Sequence, residues 1–217
     1  MMIKTVLFDL DGTIINSEQG ILNAIKYAVH KLNRPTMDDA TLRQFIGPSL
    51  VGGFQTIAGY THEEAVEATE AYREYYRDGG LFEDEVYARI PEALGDLQQQ
   101  YDFYIATAKP ESFAEQIIDH FHLDGYFKGI YGATFDETRI KKADIIGYAL
   151  NDIGITDSRE AVMVGDRDSD ILGGHSNALA GIGVTYGFGS LAELQAAKSE
   201  QIIASPTELP AAVLALN

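Results

Sequence analysis

Short apolar segments alternate with helical patterns through the second half of the chain, and this alternation constrains the fold more than any other feature. Each segment is a short apolar run, which predicts a buried strand. Strands that alternate with helices predict an α/β fold with a parallel sheet covered on both faces. The predicted strands cover residues 3–8, 103–107, 129–133, 161–165, 181–185 and 202–204, and the predicted helices cover residues 110–121, 142–150, 168–177 and 191–198.

A long helical stretch interrupts the alternation between the first and second predicted strands. Apolar residues recur there at helical spacing, which predicts several helices in succession. These helices cover residues 17–32, 42–46, 50–57 and 61–77. They outnumber what one crossover between strands needs, so we predict an α-helical bundle inserted after the first strand. The insert spans residues 17–83 and the core spans residues 1–16 and 84–217. The alternative is a further helical layer packed on the sheet.

Composition and charge exclude several classes of protein. The 217 residues contain no cysteine, which excludes disulfides, zinc–thiolate sites and cysteine nucleophiles. Asp and Glu number 33 against 16 Lys and Arg, and the net charge of −17 predicts no nucleic-acid partner. No apolar run approaches the ~20 residues of a membrane span, and the first residues lack the apolar core of a signal peptide. We therefore expect a cytoplasmic protein with no membrane partner, either a monomer or a homodimer.

Two aspartates directly follow the first predicted strand. Asp9 and Asp11 lie two residues apart, and in an extended segment such residues point to the same side. Unpaired carboxylates at the end of a buried strand are costly unless a divalent cation or a shared proton relieves their repulsion. Gly12 then permits a tight turn of the backbone. The pattern predicts a functional acidic site, and the alternative is a pair of turn aspartates.

A second acidic cluster follows the fourth predicted strand and contains Asp166, Asp168 and Asp170. The carboxyl ends of parallel strands meet at one edge of a sheet, so Asp9 and Asp166 converge if their strands are neighbours. Several carboxylate oxygens in one place suit Mg²⁺. We interpret Asp170 as a functional residue and Asp168 as an ordinary residue at the start of the next helix.

Two further segments carry groups that suit a phosphate. The second predicted strand ends in Thr107 and Ala108, where a hydroxyl and the first amides of a helix can form a phosphate cradle. Lys141 and Lys142 follow the third predicted strand, and a lysine there can neutralise both a phosphate and a carboxylate nucleophile. Each segment taken alone has an ordinary alternative explanation. Thr107 could simply cap a helix, and Lys141 and Lys142 could be solvated residues at a helix start.

Together these segments make the chain resemble the haloacid dehalogenase superfamily, and most closely its small phosphatases of the phosphoglycolate phosphatase type. The resemblance spans nearly the whole chain and rests on the order and spacing of the stretches FDLDGTIINS, IATAKP, RIKKAD and VMVGDRDSD. It implies a Rossmann-like core with an α-helical cap at residues 17–83. It also implies Mg²⁺-dependent hydrolysis of a small phosphomonoester through an aspartyl-phosphate intermediate.

The resemblance implies a role for each residue of the reaction. Asp9 is the expected nucleophile, and Asp11 is the expected general acid and base. The hydroxyl of Thr107 and the amide of Ala108 are expected to hold phosphoryl oxygens. The active-site lysine is then expected to pair with both the nucleophile and the phosphate.

The lysine and the metal ligands follow from the same resemblance. Lys142 is the expected active-site lysine, and Lys141 is the alternative because the Lys-Pro-x-Pro pattern common in the family is missing here. The expected metal site consists of Asp9, Asp166 and the backbone carbonyl of Leu10 or Asp11, with Asp170 orienting the metal shell or the lysine.

The cap is expected to recognise the leaving group, with Phe45 and Gly47 as the candidate contacts. Phosphoglycolate, a nucleotide and a sugar phosphate all remain compatible substrates. Two alternatives to hydrolysis stay open on the sequence. One is a phosphomutase of the β-phosphoglucomutase type, and the other is a non-catalytic regulatory protein on the same fold.

Overall fold

A computed structural model describes residues 2–47, 49–136 and 138–217. The chain divides into two compact units. The first unit comprises the chain up to Asn16 together with Val86–Asn217, and the second is Ser17–Glu85. This division lies close to the predicted one, with the second unit ending two residues beyond the predicted insert.

The first unit is built on a parallel six-stranded sheet with the order β5-β4-β1-β6-β7-β8. Its strands are β1 (Thr5–Phe8), β4 (Asp102–Pro110), β5 (Phe127–Ala133), β6 (Ala161–Gly165), β7 (Ala180–Val184) and β8 (Gln201–Ile203). Two short strands, β2 (Ile15–Asn16) and β3 (Glu85–Val86), pair separately. The fully buried β1 lies between β4 and β6, so the first predicted strand is a central strand of the sheet.

The second unit is helical. It contains α1 (Glu18–Lys31), α2 (Asp39–Arg43), α3 (Leu50–Thr56), α4 (His62–Arg77) and a 3₁₀ turn at Gly80–Phe82. The prediction of a helix over residues 42–46 is wrong by one turn. Asp38 accepts a hydrogen bond from the Thr41 amide and so starts α2 earlier. The ring of Phe45, which lies after α2, is buried and packs on Phe54 at 5.1 Å between centroids.

Among the described residues, six helices complete the first unit. They are α5 (Ile90–Leu97), α6 (Glu111–His120), α7 (Lys142–Ile153), α8 (Asp168–Ser176), α9 (Leu191–Ala196) and α10 (Leu209–Ala215), with 3₁₀ turns at Ser158–Glu160 and Pro206–Glu208. Apolar residues of α7 pack against Leu7, Ala106 and Met163 from three adjacent strands. This packing fixes the start of α7 relative to the strand ends. No helix in the described ranges has the length and apolar character that a membrane span requires.

The predicted α/β fold is confirmed, and the largest correction concerns β4. The sequence predicts that this strand ends at residue 107 and that a helix begins at residue 110. In the structure β4 continues to Pro110 and α6 begins at Glu111. Lys109 therefore lies on a strand, buried like Thr107, while Ala108 between them is exposed. Because side chains alternate along a strand, Thr107 and Lys109 lie on one face of β4.

Candidate active site

The site lies at the carboxyl ends of β1, β4 and β6. Phe8 at the end of β1 is in register with Ile105 of β4 and Val164 of β6, so the residues that follow these strands meet at one edge. Asp9 comes directly after β1 and Asp166 directly after β6. The Asp9 amide donates to the Val164 carbonyl at 2.9 Å, which fixes the backbone of Asp9 beside β6. The predicted convergence of Asp9 and Asp166 is therefore observed.

Three buried carboxylates form the centre of the site. Asp9, Asp166 and Asp170 each place an oxygen within 4.8 Å of the others. Burial raises the pKa of Asp9 to about 6, and the charges of Asp170 and Asp11 add to the rise while Lys142 opposes it. Burial, together with Asp170 and Asp9, also raises the pKa of Asp166 well above its usual range. The surrounding protein groups therefore do not fully balance the negative charge of these carboxylates.

The Asp166 carboxylate is held through one oxygen only. Its Oδ2 accepts hydrogen bonds from the amides of Phe188 at 2.7 Å and Gly189 at 3.3 Å. Its Oδ1 is buried and has no hydrogen-bond partner among the described residues. A buried carboxylate oxygen without a partner is costly, and a cation would remove that cost. The oxygen-only donor set suits Mg²⁺, which usually takes few carboxylates and keeps positions for water and phosphate.

The loop after β7 supplies this support, and sequence reasoning missed it. A side chain on Gly189 would overlap the Asp166 backbone carbonyl, and one on Gly187 would overlap the Gly12 carbonyl and the Asp166 side chain. Only glycine allows the loop to come this close. The sequence contains a signal, the Gly-x-Gly pattern of residues 187–189, but such a pattern does not say which residue the loop approaches.

Binding of a divalent cation should stabilise the protein more at pH 7.5 than at pH 5. In the metal-free folded state Asp9 titrates near 6 instead of 3.8, so it binds its proton more tightly than in the unfolded chain. The stability that this proton gives is complete below pH 4 and is lost as the pH rises through about 6. A cation offsets the buried charge that remains.

Melting temperatures in EDTA and in MgCl₂ at both pH values measure this effect. The gain from Mg²⁺ should be larger at pH 7.5 by on the order of 4 °C, because pH 5 lies about one unit below the Asp9 pKa of about 6 and one unit corresponds to about 1.4 kcal/mol. The Asp166→Asn variant serves as the control and should gain much less. Equal gains at the two pH values would contradict the role of buried carboxylate charge.

Lys142 bridges two of the carboxylates. Its Nζ lies 2.7 Å from Asp9 Oδ1 and 2.8 Å from Asp170 Oδ1, and it donates to the Ala106 carbonyl at 3.1 Å. Burial by itself would lower the pKa of Lys142, but Asp170 and Asp9 raise it above its ordinary value. Lys141, the alternative predicted from the sequence, is exposed and precedes the first residue of α7. The structure thus brings Lys142, rather than Lys141, to the acidic cluster.

Asp170 is fixed from two sides. Its Oδ1 contacts Lys142, and its Oδ2 accepts from the Arg167 amide at 3.0 Å, which closes the first turn of α8. Asp168, the first residue of this helix, donates its amide to Glu193 of α9. Its carboxylate is not part of the three-carboxylate group, as the sequence interpretation expects for an ordinary helix-start residue.

Asp11 has a different lysine partner. Its Oδ1 lies 2.8 Å from the Nζ of Lys109, whose side chain is only 5% exposed. The amide of Lys109 also donates to the Thr107 hydroxyl at 3.2 Å. Sequence reasoning missed Lys109 because it treated this position as the start of a helix. The spacing Thr-x-Lys at the end of a strand is the signal that could have identified it.

The turn after Asp9 decides which carbonyl is available to a cation. The Leu10 carbonyl accepts hydrogen bonds from the amides of Thr13, Ile14 and Ile15 at 2.9–3.2 Å. Gly12 adopts φ of +84°, a value that other residues rarely adopt. Of the two carbonyls considered from the sequence, Leu10 is therefore committed to the turn and Asp11 remains the candidate.

The two residues expected to recognise the leaving group lie in the second unit. Phe45 has 2% of its surface exposed, and its ring packs on Phe54 within that unit. Gly47 is exposed and adopts φ of +108°. Within its own unit Phe45 is a packing residue, whereas Gly47 offers an accessible backbone.

Comparison with known proteins agrees with this geometry. The family model described as haloacid dehalogenase-like hydrolase matches residues 6–184. A 5'-nucleotidase of Pseudomonas aeruginosa is 42% identical over 192 residues, which cover 88% of this chain and 86% of that protein. The tyrosine-protein kinase PtkA of Mycobacterium tuberculosis is 31% identical over 187 residues, which cover 86% of this chain and 63% of that protein.

A solved structure extends the agreement to the whole chain. The crystal structure of a predicted phosphatase from Clostridium acetobutylicum superimposes with a TM-score of 0.93 at 38% identity and covers 99% of this chain and 100% of that one. The family match spans most of the chain and includes Asp9, Thr107, Lys142 and Asp166. The chain therefore belongs to the haloacid dehalogenase-like hydrolases and is a phosphatase of that family.

Proposed function

We propose that the protein hydrolyses a small phosphomonoester through a phosphoryl group carried on Asp9, with Mg²⁺ as the cation of the site. The observation that carries the proposal is the contact network of Asp9. Its carboxylate lies at the centre of the site, with one oxygen on Lys142 and with Asp166 and Asp170 within cation-binding distance. A nucleophile with this environment is held in place, and its charge is screened.

The first step transfers the phosphoryl group to the protein. A carboxylate oxygen of Asp9 attacks phosphorus, and the bond between phosphorus and the leaving oxygen breaks. Asp11 donates a proton to that oxygen, so the alcohol leaves as a neutral molecule. Lys142 keeps Asp9 oriented throughout through its 2.7 Å contact.

The second step returns the enzyme to its starting state. Asp11, now ionised, accepts a proton from a water molecule that attacks phosphorus, and the bond between phosphorus and the Asp9 oxygen breaks. Phosphate leaves, and Asp11 is again protonated. One residue thus acts as acid in the first step and as base in the second.

Thr107 is expected to hold the phosphoryl group during both steps. Its hydroxyl oxygen accepts a hydrogen bond from the Lys109 amide, so its own proton is available for donation to a phosphoryl oxygen. The Ala108 amide is the second proposed donor. Phosphoryl transfer depends mainly on positioning and charge neutralisation. These donors therefore contribute through hydrogen bonds to the phosphoryl group and form no covalent bond to it.

Asp9, Asp166 and the Asp11 carbonyl are the proposed direct ligands of Mg²⁺, with Asp170 orienting the site beside Lys142. When bound, Mg²⁺ neutralises charge on the phosphoryl oxygens and aligns the phosphate with the nucleophile. Asp166 favours this set of ligands, because among the residues that the structure describes only its Oδ2 accepts a hydrogen bond and its buried Oδ1 is available to a cation.

Replacing Asp11 with Asn should slow turnover by about 10²–10⁴-fold, the usual effect of losing a group that transfers protons. Asn keeps the size of the side chain but neither donates nor accepts a proton in this way. Steady-state phosphate release measures kcat, and a rapid-quench assay with labelled substrate measures both steps. An Asp11→Asn variant that turns over at the wild-type rate would remove Asp11 from this role.

The similarity to a 5'-nucleotidase makes a nucleoside 5'-monophosphate the first substrate class to test. The resemblance to phosphoglycolate phosphatases makes phosphoglycolate the second. In both, the leaving group is an alcohol on a small polar molecule, which fits the proton transfer proposed for Asp11.

Phosphate release from a panel of substrates tests the proposal. The panel contains several nucleoside 5'-monophosphates, phosphoglycolate, β-glucose 1-phosphate and p-nitrophenyl phosphate, each with MgCl₂ and with EDTA. Selective release that requires Mg²⁺ is the expected result. Conversion of β-glucose 1-phosphate into an isomer without phosphate release would instead indicate a mutase, and inactivity on every substrate would overturn the proposal.

A further inference from the structure

The site contains two buried lysines that serve different carboxylates. Lys142 contacts Asp9, Asp170 and the Ala106 carbonyl, and these acceptors equal the number of protons on its ammonium group. Lys142 thus serves two of the three clustered carboxylates. The lysine contact of Asp11 comes from another side chain.

Lys109 provides that contact. Its Nζ lies 2.8 Å from Asp11 Oδ1, and the exposed fractions of the two side chains are 5% and 20%. The pair is much less exposed than a typical surface ion pair, so its attraction is less screened by water. The backbone of Lys109 is itself fixed, because it lies on β4 and its amide donates to Thr107.

Asp11 needs such a restraint because it lies beside a cation site. It is two residues from Asp9, one of the three carboxylates that could hold a cation. Yet among the described residues the group that can hold a cation contains Asp9, Asp166 and Asp170 and leaves Asp11 out. A free carboxylate this close to a divalent cation is attracted to it as a further ligand. A carboxylate bound to the cation no longer transfers protons efficiently.

We propose that Lys109 is a positioning residue that keeps the Asp11 carboxylate out of the cation site and so reserves it for proton transfer. The inference rests on the proposed function and deepens it, since it explains how four neighbouring aspartates divide into two roles. Lys142 holds Asp9 and Asp170 within the cluster, and Lys109 holds Asp11 outside it.

A double-mutant cycle on cation binding tests the proposal. The probe is Mn²⁺ without substrate, and its dissociation constant is measured from the electron paramagnetic resonance signal of free Mn²⁺. The four proteins are the wild type, Lys109→Met, Asp11→Asn and the double variant. Lys109→Met should bind Mn²⁺ about tenfold more tightly, because Asp11 is then free to join the site, and tenfold lies within the coupling range of interacting neighbours.

The Asp11→Asn substitution separates recruitment of Asp11 from a simple change of charge. If Asp11 joins the site in Lys109→Met, the gain in affinity disappears in the double variant. If the gain comes only from loss of a positive charge, it persists there and the proposal is wrong. Unchanged Mn²⁺ affinity in Lys109→Met would equally overturn it.

Three more variants control for folding and for lysine loss in general. Lys109→Arg keeps a cation that can pair with Asp11, so its Mn²⁺ affinity should stay near that of the wild type. Lys109→Gln also removes the charge and should tighten Mn²⁺ binding as Lys109→Met does, so it keeps the proposal testable if Lys109→Met does not fold. Lys128→Met removes another lysine–aspartate pair, Lys128 with Asp102 at 2.6 Å on the outer strand β5, and should leave Mn²⁺ binding unchanged.

The cycle can fail independently of the proposed function. Cation binding is measured without substrate, so a wild-type protein that releases phosphate normally while the cycle shows no coupling would reject only the role of Lys109. Conversely, coupling in a protein that hydrolyses no phosphomonoester would reject the proposed function alone. In turnover, Lys109→Met should lower kcat more than it changes KM, since Asp11 acts on the reaction and not on binding.

Discussion

Replacing Asp9 with Asn is expected to reduce phosphate release by on the order of 10⁴-fold or more, as losses of a nucleophile usually do. The amide keeps the shape of the side chain but cannot form the proposed acyl phosphate. The fold should survive, because the substitution removes one negative charge from a buried acidic cluster. Burial already disfavours that charge and raises the pKa of Asp9 to about 6. The expected melting temperature without metal is therefore equal to or above that of the wild type at pH 7.5.

Two measurements distinguish a lost nucleophile from a damaged site. Mass spectrometry after rapid acid quench should detect a phosphorylated protein in the wild type and none in Asp9→Asn. The Asp168→Asn variant is the matched control, since Asp168 follows the same strand end as Asp166 but lies outside the three-carboxylate group. It should keep turnover near the wild-type rate. Full activity in Asp9→Asn would exclude Asp9 as the nucleophile.

Replacing Lys142 with Met should both stop turnover and destabilise the protein by about 3–5 kcal/mol, the usual cost of removing one partner from a buried ion pair. Asp9 and Asp170 would each lose a contact shorter than 3 Å. The destabilisation should be greater at pH 8 than at pH 5, because protonation relieves the uncompensated carboxylates at the lower pH.

Lys141→Met is the matched control for this experiment. Lys141 is the neighbouring residue in the chain and is exposed, so its loss should change the free energy of unfolding by no more than about 0.5 kcal/mol. Urea denaturation with EDTA present measures both variants without the contribution of a bound metal. Similar destabilisation by the two substitutions would contradict the contacts assigned to Lys142.

The core strands of the sheet were predictable because their sequences leave few alternatives. Residues 3–8 and 161–165 are short, mostly apolar segments that each run into an aspartate, and the structure places them as neighbours, β1 and β6. Helices α5 and α10 were not predicted. Both helices have proline in their first turn, a position that proline favours. These prolines could have indicated the two helix starts.

The carboxylates of the site were predictable from the strand ends, but Lys109, the loop after β7 and the lysine–carboxylate pairing were not. The family resemblance favours Lys142, but the residue pattern alone does not distinguish it from Lys141, because the packing of α7 on three strands decides which lysine turns inward. The expectation that Asp9 and Asp11 point the same way assumes an extended backbone. β1 ends at Phe8, and the turn that follows gives the two carboxylates separate lysine partners.

The central place of β1 in the sheet has a consequence for how the chain acquires its structure. Thr5 pairs with Asp102 on one side and with Ala161 on the other, so β1 leaves the ribosome long before either partner strand is made. Until then its apolar residues and both of its hydrogen-bonding edges are open to other chains, the condition that promotes aggregation. Such distant pairings also form slowly. Asp9 is thus synthesised well before the two strands that flank its own strand.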